Sequence, residues 1–319
     1  MTAKTQIDIG LVLYPGAQIS AVLGLADLFE IADRAAAKRP DTDLPRLCVG
    51  QWTFEEGRSL PSPPETGGDS DVLILPPTLN APASPEAARP IAHWLRERHE
   101  GGCILASICG GAFLLAETGL LDGRSATTHW VYTEAFSRRF PRVAVDTDRL
   151  IIDDGDILTA GGLMSWTDIG LKLVDRFLGP TVMLETAQML LVDPPGREQR
   201  YYSGFTPRLN HGDAAILKAQ HWLQTTGARD TSLTVLAKQA GLEERTFLRR
   251  FHRATGLTSS EYAQRLRVGR ARERLQFGTL PVDTIAWEVG YSDPATFRKV
   301  FRRIVGLTPS EYRQRFHIG

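Results

Sequence analysis

The chain has 319 residues, of which 42% are hydrophobic, and its 37 Lys and Arg balance 37 Asp and Glu. This length favours two domains, because single hydrophobic cores usually stop growing at about 250–300 residues. No apolar run approaches the roughly 18 residues of a membrane span, and no secretory-type segment opens the chain. Three cysteines without CxxC spacing, Cys48, Cys103 and Cys109, argue against a disulfide framework and a zinc site. We therefore expect a cytoplasmic protein with no metal, no cofactor and no membrane partner.

The first 180 residues alternate short apolar runs with amphipathic stretches. Strands are predicted at residues 7–14, 47–52, 71–75, 103–107, 150–153 and 156–160, and helices at 20–37, 90–99, 112–118 and 164–178. A loop rich in Gly, Pro and Ser is expected at 56–70. Such alternation predicts an α/β domain, with a doubly wound, mainly parallel sheet covered by helices on both faces, over residues 1–195.

A change of composition marks the end of this domain. Residues 193–212 carry Pro, Gly and charge without periodicity, so a linker is predicted at 196–212. From residue 213 every apolar segment has helical spacing, which predicts an all-α domain over 213–319. Residues 211–319 hold 18 Lys and Arg against 10 Asp and Glu, about +8, whereas residues 1–210 hold 19 against 27, about −8. The carboxy-terminal part is suited to a polyanion.

This second domain contains one helical unit twice, at residues 241–267 and 290–316, with a constant offset of 50 residues. In each copy a helix ends at a tight turn, and the next helix carries two Phe residues four positions apart opposite a basic face. The Phe residues, 247 and 251 in one copy and 297 and 301 in the other, are expected in the core. The pattern is typical of a helix-turn-helix, whose second helix enters the DNA major groove.

Each copy continues into a further helix with a capping box, Thr258 with Glu261 and Thr308 with Glu311. The helix from residue 259 to about 277 would span roughly 27–29 Å at 1.5 Å per residue. It is long enough to hold two DNA-reading helices on successive major-groove faces, which recur about every 34 Å.

The second copy, from Ile285 through Gly290, Phe297 and Phe301 to Tyr312, resembles the AraC/XylS family of DNA-binding domains over about residues 213–316. The resemblance implies that DNA is contacted by Arg245, Thr246, Leu248, Arg249, Arg250, Ala295, Thr296, Arg298, Lys299, Arg302 and Arg303. Three of these, Arg250, Arg302 and Arg303, are assigned to phosphates. The alternative for the arginines is a solvated helix face. The acidic pair Glu243-Glu244 departs from the family pattern and predicts a less well capped helix than Ser292-Asp293-Pro294 in the second copy.

In the first domain, Cys109 lies where a predicted strand turns into a helix. Backbone N–H groups at such an elbow can lower the pKa of a thiol or hold an anion. With Tyr14-Pro15-Gly16, the segment 119–130 and Ala160-Gly161-Gly162, the elbow resembles the ThiJ/PfpI group of the class I glutamine amidotransferase-like fold. Such a domain followed by an AraC-type domain is similar to the GlxA-type family of transcriptional regulators.

Three departures from the enzymes of this group argue against turnover. Asp27 stands where a Glu is usual, and Ala21 where related isonitrile-hydrating enzymes carry an Asp. Pro76-Pro77-Thr78 replaces a Gly-Gly pair, and proline has no N–H to donate to an oxyanion. We expect a ligand pocket without catalysis, with a catalytic thiol and a purely structural elbow as alternatives.

The pocket would lie above the carboxyl ends of the strands, where doubly wound folds bind ligands. The expected effector is a small polar metabolite, and because tryptophan faces attract cations, a cationic metabolite is a further hypothesis. The two tryptophans concerned, Trp130 and Trp166, are equally compatible with a place in the hydrophobic core. The candidate effector residues are Asp27, Cys109, Gly110, His129, Trp130, Gly162 and Trp166.

These features predict a sequence-specific regulator that binds a double-stranded DNA operator and senses a small-molecule effector. A homodimer is expected, with the apolar helix at 183–191 as the candidate contact, and RNA polymerase is a further partner to test. The alternatives are a Cys-dependent hydrolase or hydratase with an accessory DNA-binding domain, and a ligand-independent architectural DNA-binding protein. The first helix-turn-helix copy is expected to read more of the DNA sequence than the second.

Overall fold

The computed structural model describes residues 5–39, 43–54 and 69–318. They belong to two compact units, Met1–Gln199 and Arg200–Gly319. The boundary falls within the segment 196–212 that the sequence predicts as a linker. Most of the loop expected at 56–70 lies outside the described residues. No helix in the described ranges is long and apolar enough to cross a membrane.

The first unit is built on a six-stranded sheet. Its strands are β1 (Gln6–Leu13), β2 (Arg46–Thr53), β3 (Val72–Leu75), β4 (Ile104–Ile108), β7 (Ile151–Asp153) and β8 (Ile157–Ala160), while β5 (Ser125–Ala126) and β6 (Ala144–Val145) pair separately. The order is β2-β1-β3-β4-β8-β7, and every pair is parallel except β7 with β8. The predicted doubly wound, mainly parallel sheet is confirmed.

Helices cover both faces of this sheet. They are α1 (Ile19–Ala37), α2 (Pro85–Glu100), α3 (Gly111–Glu117), α4 (Thr133–Arg139) and α5 (Trp166–Leu190). Alternate residues of β3 enter different cores, Val72 and Ile74 packing with α1 and α5, and Leu73 and Leu75 with α2 and α3. All four side chains are fully buried, so β3 is apolar on both faces, as is typical of a central strand in a parallel sheet.

Helix α5 continues well beyond the predicted end at residue 178. It is kinked at Gly179, whose φ of 83° and ψ of 168° are not helical, and Pro180 starts a second leg because proline lacks the N–H that would extend the first. This leg contains the helix predicted at 183–191. In this leg Leu184 is 45% exposed and Met189 is 72% exposed. Leu191, directly after the helix, is 92% exposed.

The second unit is helical throughout its described elements. They are α6 (Ala214–Thr226), α7 (Leu233–Ala240), α8 (Glu244–Thr255), α9 (Ser259–Phe277), α10 (Val282–Glu288), α11 (Pro294–Val305) and α12 (Pro309–Phe316). The four predicted core Phe residues are all fully buried, which confirms that expectation. Helix α9 contributes Tyr262 to the core around α8, and Ala271 and Leu275 to the core around α11. One helix therefore joins the two helix-turn-helix units, at the bounds that the sequence predicts.

Local signals set these helix ends. Thr258 and Thr308 each accept a hydrogen bond from the backbone N–H of a Glu three residues later, whose carboxylate accepts one in return. Both predicted capping boxes are thus present. Gly241 and Gly290 follow α7 and α10 with φ of 65° and 94°, which lets the chain turn tightly into the next helix.

Candidate DNA interface and candidate ligand pocket

Helices α8 and α11, the reading helices, each bury two Phe residues and turn a basic face outward. Among the predicted DNA-contacting residues, Thr246 and Arg250 are partly buried. The exposed ones are Arg245, Leu248, Arg249, Ala295, Thr296, Arg298, Lys299, Arg302 and Arg303. The structure thus gathers the predicted set on the solvent faces of the two reading helices, apart from those two positions.

Three of the basic side chains already have partners. Arg250 forms two hydrogen bonds, of 2.9 and 2.6 Å, with the carboxylate of Asp213, the residue that caps α6. The Arg250 guanidinium holds the pKa of Asp213 below its usual range. Arg298 is paired with Asp283 of α10, and Arg303 bonds the amide oxygen of Gln264. A phosphate would have to replace these partners.

The other four basic side chains of the predicted set have no partner among the described residues. Within the described part of the chain, Arg245, Arg249, Lys299 and Arg302 make no hydrogen bond or ion pair. Lys299 and Arg302 line a surface concavity of about 580 Å³, together with Arg298, Arg303 and Thr308. Positive charge in a concave surface favours a polyanion, because the surrounding protein screens the field less than water does.

The two reading helices begin differently, as the sequence predicts. At α11 the Asp293 carboxylate accepts hydrogen bonds from the N–H of Ala295 at 3.0 Å and of Thr296 at 2.9 Å. At α8 the capping position is Glu243, whose side chain forms no cap hydrogen bond. Glu244 instead accepts from the Thr234 hydroxyl at 2.6 Å. The weaker cap of the first copy is confirmed.

In the first unit, Cys109 occupies the predicted elbow between β4 and α3. Its φ of 55° lies in the left-handed region, which a non-glycine residue rarely adopts, and its N–H donates to Ala160 at 2.7 Å. The side chain points into the protein, since the residue is only 1% exposed. The elbow therefore has the backbone of a nucleophile turn and a buried thiol.

Burial decides the electrostatics of this thiol. Loss of water raises the pKa of Cys109 to about 11, even though the backbone N–H groups of Gly110 and Gly162 bond the sulfur and oppose the rise. The backbone N–H groups at the elbow do lower the pKa of the thiol, as expected, but burial outweighs their contribution. A thiol with this pKa is almost entirely protonated at neutral pH.

The carbonyl groups of the segment that replaces the Gly-Gly pair are occupied by hydrogen bonds within the fold. The Pro76 carbonyl accepts from the Tyr14 hydroxyl at 2.5 Å, and the Pro77 carbonyl accepts from the N–H of Gln18 at 2.7 Å. Pro76 and Pro77 have no backbone N–H group, so neither residue can donate a hydrogen bond to a developing oxyanion. Burial and the neighbouring Cys109 raise the pKa of both Tyr14 and Tyr132, so two aromatic hydroxyls lie near the thiol, and Tyr132 is not among the predicted pocket residues.

The other candidate pocket residues are only partly brought together. His129 and Trp130 are neighbours, with ring centroids 5.6 Å apart, and burial lowers the pKa of His129. His129 accepts from the N–H of Val131, and among the described contacts no hydrogen bond joins it to Cys109. Trp166 is partly buried with its ring over Gly24 of α1. Asp27 is exposed on α1.

Comparisons with known proteins match both halves of the chain. Residues 65–176 match the DJ-1/PfpI family, and residues 236–315 match a helix-turn-helix domain family. The HTH-type transcriptional regulator GlxA of Rhizobium meliloti (strain 1021) is 32% identical over 206 residues, which are 63% of this chain and 62% of that protein. The HTH-type transcriptional regulator ArgR of Pseudomonas aeruginosa is 28% identical over 298 residues, 92% of this chain and 88% of that protein.

An enzyme is also among the relatives. Isonitrile hydratase of Pseudomonas putida is 24% identical over 189 residues, 58% of this chain and 76% of that protein. The match to GlxA spans less than two thirds of that regulator. The chain joins a domain of the DJ-1/PfpI family to an AraC-type helix-turn-helix domain, as the two resemblances in the sequence indicate.

Proposed function

We propose that the chain is a transcriptional regulator that binds a double-stranded DNA operator through both helix-turn-helix units. The observation that carries this proposal is the pair of reading helices, each with a buried Phe pair and an exposed basic face, joined by α9. The 19 residues of α9 span about 28 Å at 1.5 Å per residue. This length is compatible with two contacts on successive major-groove faces, about 34 Å apart.

The roles of the side chains follow from their chemistry and their partners. Arg245 and Arg249 are exposed and would read base edges, because a guanidinium can bond guanine with two parallel hydrogen bonds. Lys299 and Arg302 would bind the second half-site, Arg302 at phosphates. Arg250 and Arg298, held by carboxylates, would add affinity only after exchanging an ion pair for a phosphate.

For the first unit we propose sensing of a small polar metabolite without turnover. The protonated thiol disfavours nucleophilic attack, and the lack of an N–H group on Pro76 and Pro77 disfavours oxyanion stabilisation. The proposed ligand site comprises Cys109, Gly110, Gly162, His129, Trp130 and Trp166. Asp27 would meet a ligand only from the solvent side of α1.

We further propose that the protein is a cytoplasmic homodimer. The second leg of α5 exposes Leu184 and Met189, which makes it the surface for contact with a second copy. RNA polymerase is the further partner through which a bound regulator would act.

A second candidate is a Cys-dependent hydrolase or hydratase with an accessory DNA-binding domain. The left-handed φ of Cys109 and the similarity to isonitrile hydratase favour it. Cys109→Ala separates the two: an enzyme loses all turnover, whereas a regulator keeps its affinity for DNA and changes only its response to the effector.

A genome-wide map of sites bound by the full chain, followed by gel-shift assays on the recovered fragments, tests the main proposal. We expect enriched sites with two short motifs about one helical turn apart. Absence of enrichment, together with equal affinity for recovered and random fragments, would contradict it.

A further inference from the structure

Gln199, the last residue of the first unit, is held by a network of buried hydrogen bonds. It is 3% exposed, and its amide nitrogen donates to the carbonyls of Thr128 at 2.8 Å and Arg149 at 3.0 Å. The same nitrogen lies 2.9 Å from the Thr127 hydroxyl, and the amide oxygen accepts from the N–H of Trp130 at 3.1 Å. Because breaking buried hydrogen bonds leaves polar groups unsatisfied, this amide specifies one conformation of its surroundings.

The loop that holds Gln199 also borders the candidate ligand pocket. The Thr128 hydroxyl donates to the carbonyl of Cys109 at 2.7 Å, and both Thr127 and Thr128 are fully buried or nearly so. His129 and Trp130, two candidate pocket residues, belong to the same loop. A ligand that displaces them would therefore act on the hydrogen bonds of Gln199.

Gly161 provides the space that this amide occupies. A Cβ atom at residue 161 would lie 1.9 Å from the Gln199 amide nitrogen, so any side chain at this position would force the Gln199 amide to move. The next residue, Gly162, bonds the sulfur of Cys109 through its N–H. The Gly-Gly pair after β8 thus contacts both Gln199 and the thiol.

Immediately after Gln199, the chain is held in the second unit by Arg272 of α9. Its guanidinium donates to the carbonyl of Arg200 at 2.5 Å and to that of Ser203, and it lies 5.3 Å from the ring centroid of Tyr312. Burial lowers the pKa of Arg272. A buried guanidinium bound to main-chain carbonyls fixes the path of the backbone that carries them.

The following residues continue along α9. The Phe205 ring packs edge-on against Tyr262, with centroids 5.1 Å apart. Tyr262 belongs to the core of the first helix-turn-helix unit, and Tyr312 to that of the second. Residues 200–205 therefore contact the first core directly through Phe205 and are linked to the second core through Arg272.

We propose that residues 199–205 form a strap that transmits the state of the pocket loop at 127–130 to α9, and so to the two reading helices. The inference rests on the proposed regulatory function. Its physical basis is that Gln199 and Arg200 are consecutive residues, each fixed inside its own unit. Release of the Gln199 amide frees the end of the segment that Arg272 holds, and loosening of Arg272 frees Gln199 in return.

Hydrogen exchange of the full chain, read by mass spectrometry without ligand, tests the strap. Gln199→Ala removes the amide, and Gly161→Ala expels it while leaving Gln199 in place. Both variants are expected to exchange about tenfold faster at residues 127–131, and also faster at 200–206 and around residue 272. Arg272→Lys, which keeps the charge and loses the forked geometry, is expected to speed exchange at 127–131 as well.

The control is Gln51→Ala, because Gln51 is exposed on β2, away from both the pocket loop and the proposed dimer contact, and its loss should leave all these peptides unchanged. Unaltered protection of β3 and β4 shows that a variant is folded. Exchange that quickens only on the mutated side of the boundary at residues 199 and 200 overturns the strap. Failure of the regulatory function would appear elsewhere, as absence of DNA binding by the unmodified chain in gel shifts.

Discussion

In the first helix-turn-helix unit, α8 starts without a side-chain cap and exposes two arginines, Arg245 and Arg249, that have no partner among the described residues. In the second, α11 starts on Asp293 and its Arg298 is paired with Asp283. The buried Phe pairs are the same in both. The repeat therefore preserves the core and the turn, while the capping and pairing of exposed residues make the two surfaces chemically unequal.

The largest expected effect tests whether the two cores are equivalent. Phe247→Ala and Phe297→Ala each remove a fully buried ring and should each lower the free energy of unfolding by about 3–5 kcal/mol. Urea unfolding followed by circular dichroism measures this. Leu248→Ala is the control, since Leu248 is 44% exposed and its loss should cost under about 0.5 kcal/mol. Tolerance of the change in one copy alone would show that the cores differ.

The next effect concerns DNA affinity. Arg249→Ala and Lys299→Ala should each weaken operator binding by about 1–3 kcal/mol if they contact base edges. We expect Arg249→Ala to have the larger effect, because arginine can make two parallel hydrogen bonds to guanine and lysine acts as a point charge. Gel-shift titrations give the affinities, with Lys218→Ala on the exposed face of α6 as control. Unchanged affinity in both variants would refute the assigned interface.

A smaller effect separates the two helix starts. Asp293→Ala removes a carboxylate that caps two N–H groups and should cost about 0.5–2 kcal/mol of stability. Glu243→Ala should cost far less, since that side chain forms no cap hydrogen bond. Thermal unfolding of both variants measures the difference, and equal losses would remove this distinction between the copies.

The smallest effect comes from the exposed ion pair of the second copy. Asp283→Asn should change stability by no more than about 1 kcal/mol, because both partners are largely exposed. The same change releases Arg298, which can then bind a phosphate. The affinity for DNA should therefore fall more steeply with salt concentration, by the equivalent of about one additional phosphate contact. Glu288→Gln is the matched control, as it frees Arg274 of α9 instead. If the salt dependence of DNA affinity were equally steep in both variants, Arg298 would be no closer to a phosphate than Arg274 is.

The sequence predicts most of this architecture because its signals are local. The bounds of α9, the two capping boxes and the four buried Phe residues follow from helical spacing and short-range capping. The elbow at Cys109 follows from an apolar strand that runs into Cys-Gly-Gly. Periodicity extends only along one element, so these features can be read without knowledge of what packs against them.

Features that depend on distant residues could not be predicted in this way. The ion pair of Arg250 with Asp213 joins positions 37 residues apart, and the contacts of Gln199 reach the loop around Thr128, 71 residues earlier. The raised pKa of Cys109 depends on how completely the fold excludes water. Helix α4 was missed because it is short, with Phe136 as its single buried residue.

A base-by-base mutation scan of the operator, titrated with the full chain, tests whether both reading helices bind the operator and whether α8 reads more of its sequence than α11. We expect affinity to depend on both half-sites, with larger losses per mismatch in the half-site of α8, where Arg245 and Arg249 are free to read bases. Equal sensitivity in both half-sites, or losses confined to one of them, would contradict this account.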